Sequence, residues 1–177
     1  LIGASLNEII FTSGATEAIN LAIKGTFEVY RHQRDHIVTA TTEHKAVLDT
    51  CRQLEQLGAR VTYLPVMPDG MISLDELRAA VNEKTLLVAV MMANNETGVV
   101  QPLRDISTIT HQHGAFFFSD TTQAIGKLRL DVEEEGIDLC CFSAHKFYGP
   151  KGVGALYVRK GTELLSQVTG GGQEHGL

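Results

Sequence analysis

Lys146 stands in the run Phe142-Ser143-Ala144-His145-Lys146-Phe147-Tyr148-Gly149-Pro150-Lys151-Gly152, directly after an apolar stretch. A lysine amine at the mouth of a sheet, with a hydroxyl, an imidazole and a glycine-rich turn around it, can condense with a carbonyl compound to form an imine. That chemistry would make the chain an enzyme or part of one. The same lysine is equally readable as an ordinary surface cation, because perturbed lysines are the minority. Three further polar groups each follow an apolar run: Thr41-Thr42-Glu43-His44, Asn94-Asn95-Glu96 and Asp120-Thr121-Thr122-Gln123. Taken singly they read as solvated loops or caps, with Asp120 before a helix and His44 at a strand end both natural capping residues. Four such clusters at four strand ends are hard to dismiss in that way.

The elements that must position these groups follow from apolar spacing. Ile19, Ile23, Phe27 and Tyr30 recur at helical intervals and predict an amphipathic helix over about 16–31. A strand follows over 36–40, then a helix marked by Val47, Cys51, Leu54 and Leu57, then a strand over 60–65 stopped by Met67-Pro68-Asp69-Gly70. Ser73 with Glu76 three positions on reads as an N-cap opening a short helix to about Val81. The nearly unbroken apolar run 86–92 predicts a strand covered on both faces, and 102–113 a helix with Pro102 in its first turn. Strands at 115–119, 138–142 and 154–158 complete the series. This βα alternation predicts an α/β fold, three-layer α/β/α with a mainly parallel sheet, whose ligands sit outside the carboxyl ends of the strands.

Composition narrows the class. The 177 residues suffice for one substantial core, so residues 1–177 read as a single domain. A formal net charge of −6 offers no general attraction to nucleic acid or an anionic membrane. No apolar run nears the ~20 residues of a membrane span, and a secretory signal is not evident at the start, so a cytoplasmic or organelle-matrix location is expected. Cys51, Cys140 and Cys141 are odd in number and lack CxxC spacing, which argues against disulfides and a zinc site. Cys140 and Cys141 fall inside an apolar strand and read as small buried hydrophobes. The acidic run from Asp131 to Glu135 reads as a solvated face, and Gly170-Gly171-Gly172 as linker-like.

The motifs Phe11-Thr12-Ser13-Gly14-Ala15-Thr16-Glu17-Ala18, Thr42-Glu43-His44-Lys45, Asn94-Asn95-Glu96-Thr97-Gly98, Ser119-Asp120-Thr121-Thr122-Gln123 and the Lys146 run occur in one order along the whole chain. In that order and spacing the sequence resembles the large domain of the fold-type I pyridoxal-phosphate enzymes of aminotransferase class V, and within it the cysteine desulfurases. The resemblance implies pyridoxal 5′-phosphate as cofactor, with Lys146 its covalent anchor. It implies Asp120 as the carboxylate against the pyridinium nitrogen and His44 as the imidazole over the ring, able to shuttle protons. Gln123 and Asn95 match positions near the ring hydroxyl. Gly14, Ala15 and Thr16 open the first helix, whose free amides and positive dipole end can receive the phosphate, and Ser143 and His145 complete that cup by resemblance. Lys146 would have to lose its proton to react, which a partly desolvated, cation-rich site would promote.

For the parent protein the resemblance implies a homodimer that acts on L-cysteine to give L-alanine and an enzyme persulfide. Its sulfur would pass to acceptor or iron-sulfur scaffold proteins for cluster assembly and tRNA thiolation. Full-length relatives carry a further N-terminal segment and a C-terminal small domain, so the chain is expected to be a large-domain fragment with little or no turnover. None of its three cysteines matches the family's nucleophile. Two residues depart from the family pattern: His175 stands in place of a usual Arg, which would weaken contacts across the dimer, and Thr121 in place of a usual Ala, which would crowd the cofactor face. A selenocysteine lyase, an aminotransferase or a non-catalytic docking domain remain open alternatives.

Overall fold

The computed structural model describes residues 1–172 and Glu174. Seven strands form one sheet in the order β1 (Ile9–Thr12), β7 (Gly154–Val158), β6 (Leu139–Ser143), β5 (Phe116–Asp120), β4 (Thr85–Ala89), β2 (His36–Ala40) and β3 (Arg60–Leu64). β7 is antiparallel to both of its neighbours and every other pairing is parallel, so β7 alone runs against the rest. Helices α1 (Ala15–Tyr30) and α2 (Lys45–Gln56) cover one face, and α3 (Leu74–Ala80) and α4 (Leu103–Gln112) the other. The expected three-layer α/β/α architecture with a mainly parallel sheet is therefore present.

Both faces being covered explains the strand sequences. β2 and β4 are buried at all five positions, as strands sandwiched between helix layers must be. Side chains alternate between two cores: Val88, Phe117, Cys140 and Tyr157 meet α3 and α4, whereas Leu87, Phe118, Cys141 and Leu156 meet α1 and α2. Removing each such side chain from water contributes about 2 kcal/mol. α1 lays Ala18, Ile19, Ala22, Ile23 and Phe27 on the sheet. α3 begins as its sequence predicts, with Ser73 Oγ accepting from the Glu76 N–H at 3.3 Å.

Several boundaries differ from the sequence expectation. β1 is a strand beyond those expected from the sequence: it has four residues and turns Phe11 outward while Ile10 and Thr12 point in, so its apolar run is too short to stand out. β4 ends at Ala89, although Val90 and Met92 continue to donate to the Phe118 and Asp120 carbonyls at 3.1 and 3.0 Å. Pro102 caps α4 rather than occupying its first turn. The acidic run is a solvated face as expected, with Glu133 and Glu134 exposed; on that surface Glu133 takes Arg159 through both oxygens at 3.0 and 2.9 Å, and Glu134 pairs with Arg129 at 2.8 Å. His175 lies outside the described residues. Among those residues no helix is long and apolar enough to cross a membrane.

Candidate active site

The carboxyl ends of β2, β4, β5 and β6 and the amino end of α1 surround one cavity of 520 Å³. Every residue proposed from the sequence for the site lines it: Gly14, Ala15, Thr16, His44, Asn95, Asp120, Gln123, Ser143, His145 and Lys146. Ser13, Glu17, Met91, Ala93, Thr122, Lys151 and Gly152 line it as well, beyond the residues expected from the sequence. Most of these were readable: Lys151 and Gly152 belong to the Lys146 motif, and Met91 and Ala93 close the apolar run of β4.

Lys146 sits on a short 3-10 turn, Ala144–Lys146, immediately after β6. The Ala144 carbonyl accepts from the Phe147 and Gly149 N–H groups at 3.0 and 2.9 Å, and the Ala144 N–H donates to the Val153 carbonyl at 2.9 Å. These bonds hold the turn while leaving the lysine itself exposed at the mouth of the cavity. The partial desolvation expected of Lys146 is thus not supplied by the described residues around it, because the neighbouring His145 and Lys151 are exposed too.

Asp120 closes β5 and is buried to 6% exposure, on the floor of the cavity. Its Oδ1 accepts from the Thr122 N–H at 2.9 Å and lies 3.5 Å from Cys141 Sγ. The helix that Asp120 was expected to cap is not formed, since turns follow β5; the bond closes the first of these turns and engages one oxygen. Thr121 does not crowd the cavity: it is buried, its hydroxyl donates to the Cys141 carbonyl at 2.9 Å, and it does not line the cavity wall. The expectation of crowding fails because the residue after a strand's last inward position faces the opposite side.

His44 is both cap and site residue. Its Nδ1 accepts from the Ala46 N–H at 3.1 Å at the start of α2, so in the neutral ring the proton sits on Nε2. Gln123 Oε1 accepts from Lys127 Nζ at 3.2 Å, which leaves its amide nitrogen as the free donor. Asn94, beside Asn95, shapes its loop: Oδ1 accepts from the Glu96 and Thr97 N–H groups at 2.9 Å each.

At the amino end of α1, the Ala15 N–H donates to Ser143 Oγ at 2.9 Å, and Glu17 folds back to accept from the Ser13 N–H at 2.8 Å. Among the described residues the Thr16 and Glu17 amides have no intramolecular acceptor. A side chain on Gly14 would stand 3.2 Å from Ser143 Oγ and intrude on this concavity. Ser143→Ala should lower stability by about 1 kcal/mol, because it leaves the Ala15 amide without its acceptor. Urea denaturation checks this, and an unchanged midpoint would show that the bond contributes nothing.

The chain's own thiols are poor nucleophiles. Cys51, Cys140 and Cys141 are free and buried. Burial pushes Cys51 and Cys140 up to about 12 and raises Cys141 well above an ordinary thiol, with the Asp120 charge adding to the effect at Cys141.

Comparison with known proteins bears on this geometry. The family model for aminotransferase class V matches residues 1–175. Over 179 aligned residues the chain is 54% identical to the cysteine desulfurase IscS of Rickettsia massiliae and to that of Rickettsia felis, covering all of this chain and 44% of each relative. Its fold superposes on a NifS-like protein with a TM-score of 0.97 at 44% identity, covering 99% of this chain and 49% of that one. It superposes on SspA in complex with cysteine with a TM-score of 0.95 at 44% identity, covering 99% of this chain and 51% of that one. The chain spans less than half the length of the curated relatives it matches.

Class-V proteins are pyridoxal-phosphate enzymes. The residues present fit that group: two helix-terminal amides without acceptors and a glycine concavity suit a phosphate, and a buried carboxylate suits a pyridinium. An exposed amine on a fixed turn suits an aldehyde. On its match to the family model over nearly its whole length, and with these groups around one cavity, the chain belongs to the aminotransferase class-V family.

Proposed function

We propose that this chain, as a single unit over residues 1–177, is the pyridoxal-phosphate-binding large domain of a cysteine desulfurase. The whole enzyme turns L-cysteine and a protein thiol into L-alanine and a protein persulfide, whose sulfur goes on to acceptor or iron-sulfur scaffold proteins. The carrying observation is the convergence of Lys146, Asp120, His44 and the α1 amino end on one cavity. The relatives named cysteine desulfurase support the substrate. A homodimer in the cytoplasm is part of the same proposal.

When bound, pyridoxal phosphate supplies an electron sink for charge that develops at the substrate α-carbon. The chain's residues do the rest. Lys146 would hold the group covalently, and its amine, when free, would be placed to move a proton; Asp120, through the oxygen not engaged by Thr122, would hold the ring-nitrogen proton. His44 holds or moves a proton at Nε2. Thr16, Ser143, His145 and the α1 amides bind the phosphate, and Gln123 donates from its amide nitrogen, with Asn95 beside it. The sulfur-accepting thiol is not Cys51, Cys140 or Cys141, since each is buried and held protonated. This chain alone is accordingly proposed to bind the cofactor without sustained turnover.

The experiment is titration of the 177-residue chain with pyridoxal phosphate, followed by a sulfide assay with L-cysteine. Saturable binding without sulfide release is expected, and a chain that takes up no cofactor sinks the reading. Asp120→Asn should weaken cofactor binding about tenfold or more, since a charge-assisted hydrogen bond is lost. Equal affinity in that variant would remove Asp120 from its proposed place.

A further inference from the structure

Glu43 precedes His44 in the turn between β2 and α2, where a carboxylate would ordinarily face water. Here it is buried, at 5% exposure. Its Oε1 accepts from the Met91 N–H at 2.8 Å, and its Oε2 is enclosed with no hydrogen-bond partner among the described residues. Two neighbouring bonds close the same junction: Asn94 Nδ2 donates to the Thr42 carbonyl and the Met92 N–H to the Asp120 carbonyl, each at 3.0 Å. The titratable groups that face Glu43 are the Asp120 carboxyl at the end of β5 and the Cys51 thiol of α2, and among the described residues it has no cationic partner. Burial pushes the Glu43 carboxyl well above the usual range, the Met91 N–H opposes this in part, and the Asp120 charge acts in the same direction as burial.

An ionised carboxylate in this place would lack water, lack a donor for one oxygen and face a second carboxylate. As a carboxylic acid it keeps the Met91 bond without adding charge. We infer that Glu43 is a positioning residue that works in the neutral form: it ties the Met91 end of β4 to the His44 turn and leaves Asp120 as the single carboxylate charge on the cavity floor. The use made of that charge rests on the cofactor reading above; the protonation of Glu43 does not.

Folding keeps this proton bound, so the Glu43 contribution to stability is full below the ordinary carboxylate range and is lost as pH rises toward the folded value. Wild type should therefore lose ground against Glu43→Gln as pH rises.

Infrared difference spectra of the cofactor-free 177-residue chain test the inference directly. The expected result is a carboxylic-acid carbonyl band that persists at neutral pH, is missing from Glu43→Gln, and disappears at lower pH in Asp120→Asn than in wild type. A folded wild type without the band, or an Asp120→Asn variant with an unmoved midpoint, overturns it. For binding, Glu43→Ala should weaken pyridoxal-phosphate affinity about tenfold, and Glu43→Gln, equal in shape and uncharged, should restore it. A Gln variant as impaired as the Ala variant would also overturn the inference. Because the band is read without cofactor, a chain that shows it yet binds no pyridoxal phosphate supports the Glu43 assignment and overturns the cofactor reading instead.

Discussion

Lys146→Ala abolishes covalent retention of pyridoxal phosphate. Wild-type chain incubated with the cofactor and then reduced with borohydride should carry one added pyridoxyl mass, mapped to the peptide that contains Lys146. The variant should carry none, and the whole enzyme built on it should be slowed by about 10³-fold, within the range for loss of a positioned acid-base group. Lys151 also lines the cavity and is a competitor for this role. The two differ in how they are held. Lys146 ends a 3-10 turn fixed by three hydrogen bonds through Ala144, whereas Lys151 follows Pro150 in the loop before the positive-φ Gly152. Lys151→Ala should therefore keep the label. A label found on Lys151 in the wild type would move the anchor five residues along and sink the assignment.

Gly154→Ala should destabilise the fold by about 3 kcal/mol or more, at the upper end of overpacking penalties. A methyl group at Gly154 would stand 2.5 Å from Gly14 Cα and 2.7 Å from both the Gly14 carbonyl carbon and the Phe142 carbonyl oxygen. All three are backbone atoms, so no rotamer can relieve the contact. Relief would require β7 to move away from β6 or the α1 entrance to move away from β7. Either shift would also disturb the Ala15 N–H to Ser143 Oγ bond. Thermal unfolding and cofactor affinity should thus fall together. A variant with wild-type midpoint and affinity would show that Gly14 and Gly154 are not in the contact described. Gly152→Ala makes a useful contrast: there a side chain meets open space and the strain comes from the positive φ alone.

The apolar runs made the fold class legible because a sheet covered on both faces demands unbroken hydrophobic strands, and β2 and β4 supply them. Polar clusters follow these runs in the sequence, so the position of the cavity at the carboxyl ends of the strands is legible as well. Strand direction was not legible. Gly154 to Val158 is as apolar as its neighbours, and nothing in that composition says that β7 runs against β6. The readings of His44 as a cap and as a site residue do not exclude one another, since Nδ1 serves the backbone and Nε2 is retained; Asp120 caps no helix, but it too gives one oxygen to the backbone, in a turn, and retains the other. The burial of Glu43 is not legible in the sequence, for a physical reason. A glutamate in a polar turn looks solvated, and only the approach of the Met91 amide from the segment after β4 draws it inside.

The pairing of β1 with β7 has a consequence for how the molecule is assembled. Among the described residues β7 is the one strand that pairs with β1, and the Ala15 to Ser143 bond beside it spans 128 residues of chain. Closing so long a loop carries an entropic cost that local contacts cannot offset, so this junction belongs to the late stages of folding. On a ribosome, the amino end of α1 would emerge early and wait for nearly the whole domain before meeting its partner. Newly made chains should therefore become able to capture a phosphate-bearing ligand only after β7 has left the exit tunnel.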